Sequence, residues 1–184
     1  MIFEYNFRNY NFRLILYMIA LSVLGVLVIR SATNMDESMV NRQIFGVVIG
    51  LTAAIGLSLL DYHRIMSLGG LVYAGCLALL AAVFLWGNNV NNVKRWIVLP
   101  GIGQIQPSEF VKIGLIVFFS WYFMKYQEKL NQPSTVAAAA ALFAVPAYLV
   151  YAQPNLSTSL VMVVIVAGIV FASGISYRWI AGTL

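Results

Sequence analysis

Four ionisable residues crowd one short and otherwise apolar stretch, 93–119, which reads VKRWIVLPGIGQIQPSEFVKIGLIVFF. Lys94 and Arg95 sit beside Trp96, while Glu109 and Lys112 follow the Gln106-Pro107-Ser108 step. An ammonium next to a guanidinium supplies charge and a planar fork, which is what a diphosphate requires. Pro107 suits the first position of a helix. Glu109 then falls in the first turn, where the helix dipole favours an anion. Lys112, three residues further on, shares that face and can pair with it. Such charges are costly beside hydrocarbon unless they face a partner or a wet cavity. Two readings stay open. In one, Lys94 and Arg95 snorkel at the interface with Trp96 as a belt aromatic, and Glu109 caps the helix and occupies Lys112. In the other, a cationic patch with a carboxylate lies at the mouth of an outward cavity and handles an anionic lipid headgroup.

A second stretch, QPNLSTS at 153–159, has the same grammar. Asn155, Ser157 and Thr158 can cap a helix and offer neutral hydrogen bonds. A cap cluster needs no ligand, yet two Gln-Pro starts on one side suggest two helix N-termini converging on a polar site suited to an anion. The remaining candidates are plainer. His63, beside Asp61 and Arg64, reads as an interfacial anchor, Cys76 as packing, and Asp36 and Glu37 as solvated. No carboxylate pair, phosphate-binding loop or nucleophile elbow is visible, so no catalytic residue and no metal ligand is assigned from motif alone.

These residues must be held by membrane helices. Of 184 residues, 61% are hydrophobic and 9% charged, against about 25% charged in an average soluble domain. The class is an all-α integral membrane protein. The net charge of +5 is not gathered on a basic face, which argues against nucleic acid and for anchoring of loops and attraction to anionic lipid or pyrophosphate. A single cysteine excludes a disulfide or a cysteine metal site within the chain. Six apolar runs cover 14–29, 44–60, 66–86, 110–124, 136–151 and 156–175, each near the roughly 20 residues a crossing needs. Backbone groups in lipid must be satisfied internally, so the runs are helices. Arg30 in place of a small-residue cleavage site makes the first an uncleaved helix rather than a signal peptide.

Positive charge sets the orientation. With the N-terminus cytoplasmic, Arg8, Arg13, Arg64, Lys125, Lys129 and Arg178 lie inside, and Arg30, Arg42, Lys94 and Arg95 outside. The segment at 61–65 is then a tight inside turn, and 87–109 a long outside connection whose GNNVNN is turn-forming and whose LPGIG breaks any helix. The alanines at 137–141 form a small-residue packing face. One membrane domain spans 1–184.

At KRWIVLPGIGQIQPSEFVKI the chain resembles the shape, elongation, division and sporulation (SEDS) family, the RodA/FtsW/SpoVE group of cell-wall polymerases. Arg-Trp-Ile, Gln-Pro-Ser-Glu and a Lys three residues after the Glu carry the resemblance. An SA after the first run, a DY after the second and QPNLSTS before the sixth fall in family order, and the opening NYNFRLILYMIALSVLGVLVIRSAT looks more like the RodA branch. The resemblance implies a peptidoglycan glycosyltransferase of the plasma membrane. It would polymerise lipid II, the disaccharide-pentapeptide on undecaprenyl diphosphate, beside a class B penicillin-binding protein. Arg95, Glu109 and Lys112 would lie in an outward polar cavity, with Lys94, Gln106, Pro107, Ser108, Asn155 and Thr158 around it. A divalent cation is compatible with the family and is not fixed by it.

Two departures limit the expectation. Family members carry about ten membrane helices of ~20 residues each, and the proposed catalytic Asp lies in an outside loop after the seventh. The six runs here make the chain the N-terminal portion of such a bundle, inactive alone. At 153–158 the family usually reads Gln-Pro-Asp-Leu-Gly-Thr, whereas this chain has Asn155 and Ser157; an amide keeps hydrogen bonding and loses the negative charge. The alternatives are a non-catalytic membrane subunit that binds lipid II or a penicillin-binding protein, and a flippase. The flippase reading is weakened by the lack of inverted symmetry between the three-run halves.

Overall fold

The computed structural model describes residues 11–33, 36–90, 93–99, 103–176 and 179. Arg8, Arg178 and the 100–102 part of the expected helix break lie outside the described residues. Helices fall on all six apolar runs: α1 (Phe12–Ala32), α2 (Glu37–Ser58), α4 (Gly69–Trp86), α5 (Pro107–Lys125), α6 (Pro133–Tyr151) and α7 (Leu156–Ala172). Of these, α1, α2 and α6 are long and apolar enough to cross a membrane, and α4 and α7 contribute shorter apolar segments. The chain is a helical membrane protein, as its composition predicts.

One expectation about the connections needs correction, and a second gains detail. The tight turn at 61–65 is a short helix, α3 (Tyr62–Ser67), which Leu68 separates from α4. The long connection carries strands that its turn-forming residues did not announce. It is a small antiparallel ribbon of β1 (Asn88–Val90), β2 (Val93–Leu99) and β3 (Gly103–Ile105), with Asn89 opposite Lys94 and Val98 opposite Gln104. Trp96-Ile97-Val98-Leu99 is a β-branched and aromatic run that suits a pleated strand. The ribbon is a strand element within an otherwise helical chain.

The chain forms two compact units, Met1–Tyr62 and His63–Leu184. In the first, α1 packs on α2, and no residue of either helix is buried. The caps are local: Asn11 accepts from the Leu14 N–H at 3.3 Å and Asp36 from the Ser38 N–H at 2.9 Å. Asp36 is therefore a helix cap rather than a loop residue, and α2 starts well before its apolar run.

In the second unit, α5 is the central helix and packs on α4 and α7. Its Val111, Leu115, Phe118, Phe119, Tyr122 and Phe123 are buried. Phe118 stacks on Tyr73 of α4 with ring centroids 4.3 Å apart. Without a hydrophobic drive between helices in lipid, close backbone approach matters. A Cβ at Gly114 would collide with the Cys76 sulfur, and one at Gly69 would sit 2.7 Å from Trp121 Cβ. Gly69 opens α4 and Trp121 lies late in α5, so the two helices run antiparallel. Of the 137–141 alanines, only Ala139 is buried, which narrows the expected packing face to one residue.

Pro146 interrupts α6. It has no N–H to give the carbonyl four residues back, and that carbonyl, of Leu142, accepts instead from the Tyr73 hydroxyl at 2.7 Å. The helix break is thus satisfied from a neighbouring helix.

Candidate functional site

α5 starts as the sequence predicts. Gln106 is its extended N-cap, Pro107 occupies the first turn, and Glu109 N–H donates to Gln106 O at 3.1 Å. The Gln106 side chain makes no cap hydrogen bond. Lys112 Nζ lies 2.8 Å from Glu109 Oε2; the Lys112 side chain keeps 21% of its exposure and Glu109 53%. Pro107 and Ser108 are fully covered.

The second Gln-Pro step differs from expectation. Gln153 and Pro154 belong to the turn that leaves α6, and α7 is capped two residues later by Asn155. Asn155 Oδ1 accepts from the Thr158 N–H at 3.4 Å, and its carbonyl accepts from Ser159 Oγ at 3.0 Å. Asn155, Thr158 and Ser159 are buried and Ser157 is exposed. Gln153, which motif reasoning did not single out, is also buried. Its signal was the Gln-Pro pair itself, read as a helix start rather than as a buried turn.

Both helices begin at the same end of their unit. Tyr122, late in α5, donates its hydroxyl to Thr135 O at 3.0 Å, and Ser176 N–H, beyond α7, donates to Asn131 Oδ1 at 2.8 Å. The C-terminal ends of α5 and α7 thus meet the same turn, and their N-terminal ends share the opposite side, where two positive dipole ends lie together. The ribbon is at this end too, because β3 leads directly into Gln106 and β2 packs on α4 and α5.

Within β2, successive side chains point to opposite faces. Lys94 is exposed and Arg95 half-buried, so the adjacent cations do not form one fork. Arg95 Nε is enclosed, with no hydrogen-bond partner among the described residues. The described residues at this end do not fit a divalent cation. Among the described residues no group of three His, Cys, Asp or Glu side chains comes together, Glu109 is engaged by Lys112, and Asn155 carries no charge.

Residues 12–184 match the model of the FtsW/RodA/SpoVE cell cycle protein family. The chain belongs to this family. It is 32% identical over 179 residues to the peptidoglycan glycosyltransferase RodA of Treponema pallidum, covering 94% of this chain and 40% of that one. Its fold is similar to the rod shape determining protein RodA of Thermus thermophilus, with a TM-score of 0.79 and 29% identity over 95% of this chain and 57% of that one. It is also similar to a chain in a peptidoglycan synthase complex solved for its coordination of polymerization and crosslinking, with a TM-score of 0.74, 28% identity, and 90% and 48% coverage. The chain spans about half the length of the family members it matches. Membership in the FtsW/RodA/SpoVE family and the long apolar helices together make it a membrane protein of that family.

Proposed function

We propose that this chain holds the diphosphate headgroup of lipid II at the shared N-terminal end of α5 and α7, as the substrate-holding part of a peptidoglycan glycosyltransferase. The observation that carries this is the Lys112–Glu109 pair at 2.8 Å in the first turns of α5. It sets a mostly covered cation in the first turns of α5, at the end of the unit that also carries the α7 N-terminus and the ribbon with its half-buried Arg95. Coulomb attraction is strong there because water is partly excluded, and Arg95 presents a fork that matches phosphate oxygens.

The N-terminus is cytoplasmic in this reading, which turns the site outward, where the glycan is built. The one described carboxylate of the site, Glu109, is engaged by Lys112, which favours binding without chemistry, so in this reading the isolated chain holds the precursor and does not polymerise it. Relatives named as peptidoglycan glycosyltransferases support the activity of the whole protein, and the likeness to a synthase complex supports a class B penicillin-binding protein as partner.

The test is to titrate lipid II and the matching undecaprenol against the purified chain in nanodiscs, and to look for glycan strands in the same samples. Saturable binding of lipid II alone, without polymer, is the expected result. Equal binding of the alcohol would remove the headgroup site, and polymer would remove the claim of inactivity.

A further inference from the structure

In the first unit, a cavity of about 270 Å³ lies between α1 and α2. Its walls are Leu14, Ile15 and Met18 of α1 and Leu51, Ala54 and Ile55 of α2. Asn11 and Ser58 complete the lining at the level where α1 begins and α2 ends. On each helix these residues are spaced by three and four, so one face of each lines the cavity. The first two turns of α1 thus meet the last two of α2, and the hairpin is antiparallel. The cavity is an apolar slot about 10 Å deep, from the 1.5 Å rise per residue. Its mouth is polar and lies at the open end of the hairpin, away from the connection at 33–36.

Ile15, Met18, Leu51 and Ala54 are half-buried against the facing helix, and none is fully covered. Water finds no polar partners among such walls, and a void there forfeits dispersion contacts until an apolar group fills it. Both helices are long and apolar enough to cross a membrane, which sets the slot among acyl chains. A partner helix would need a face along the roughly 20 residues of a crossing. The slot covers two turns at one end, which suits a single acyl chain. The mouth suits an anionic head. Asn11 Oδ1 accepts from the Leu14 N–H at 3.3 Å, which leaves the amide NH2 to donate to a headgroup oxygen. Arg13 is exposed and lies two residues further on, within about 3 Å of that level along the helix axis. It is not a wall of the slot, but its long side chain reaches the headgroup layer by snorkelling. The first turn of α1 carries no acidic residue to offset that charge.

We propose that the open end of the α1–α2 hairpin binds one anionic glycerophospholipid, with an acyl chain in the slot and the headgroup phosphate at Asn11 and Arg13. The bound chain wedges between the helices where no connecting turn holds them and joins them by packing instead. The site lies wholly within the first unit and uses no residue of α5, α7 or the ribbon, so it stands apart from the proposed lipid II site.

The experiment places the full chain in nanodiscs doped with phosphatidylglycerol or phosphatidylcholine that carries a photoactivatable group midway along one acyl chain. The labelled peptides are then mapped. Phosphatidylglycerol label should concentrate on 11–18 and 51–58 and exceed the phosphatidylcholine label there. Ala54→Phe, which puts a ring into the slot, should abolish labelling of these segments while the other helices label as before. Arg13→Gln should lower the preference for phosphatidylglycerol about fivefold, the ~1 kcal/mol that one basic residue contributes at an anionic surface. Arg30→Gln, at the other end of α1, should leave the preference unchanged. If Ala54→Phe fails to fold by size-exclusion chromatography, Arg13→Gln decides alone, because that side chain is exposed and packs no core. Label spread evenly over the lipid-facing helices, equal label from the two lipids, or label indifferent to Arg13→Gln overturns the proposal. Absence of lipid label from both segments also overturns it, and gives the slot to residues 1–10 or to a second copy of the chain. The Arg95→Ala/Lys112→Ala variant should label as wild type, so this site and the lipid II site can fail separately.

Discussion

Lys112 is the residue on which the site most depends, because its ammonium is mostly covered and pairs with the Glu109 carboxylate. Removing one partner of such a pair leaves a charge with poor hydration. Glu109→Gln should therefore lower the yield of folded protein as well as lipid II binding. The double variant Glu109→Gln/Lys112→Met should restore yield without restoring binding, measured by size-exclusion chromatography and by lipid titration on the same preparations. Recovery of both would make the pair structural only. Tyr73 offers a test of a different kind. Its hydroxyl serves the Leu142 carbonyl that Pro146 leaves without its helical donor. Tyr73→Phe should cost about 1–3 kcal/mol. In a Pro146→Ala background the new backbone N–H takes over the carbonyl, so the cost should shrink. Additive losses in that double-mutant cycle, followed by thermal unfolding, would contradict the assignment.

At the scale of elements, the seam between α4 and α5 is the most exacting contact. Gly114→Ala forces a methyl into the Cys76 sulfur and should destabilise by about 1–3 kcal/mol, as overpacking does. Cys76→Ala should recover much of that loss, read as Tm of the single and double variants. The elements differ in how readily the sequence announces them. The six long helices were legible because apolar runs of their length have few other structures open to them in lipid. The ribbon was not. Asn88 and Asn89 are turn-formers by type, and β1 and β3 become strands only by pairing with β2, a contact that local composition does not carry. Alternation along β2 then divides Lys94 from Arg95, which spacing alone had joined. The Glu109–Lys112 pair was readable because a helix fixes which residues are neighbours. Gln153 escaped notice because its burial depends on where α6 ends and α7 begins.

At the scale of the whole molecule, the function requires the α5 and α7 N-termini to face outward. With Cys76 replaced by Ala, cysteines introduced at the exposed positions Lys94 and Lys129 should react from opposite sides of the membrane. In intact cells, a membrane-impermeant maleimide should label position 94 and spare 129. The reverse pattern would turn the site toward the cytoplasm. The account as a whole is tested most directly by the affinity of the purified chain for lipid II in nanodiscs, compared between wild type and the Arg95→Ala/Lys112→Ala variant at equal folded yield. Loss of two charge-assisted contacts, each worth about 1.5–3 kcal/mol, should weaken binding by a hundredfold or more, on the order of 3 kcal/mol. Unchanged affinity in the double variant would contradict a diphosphate site at this end of the protein.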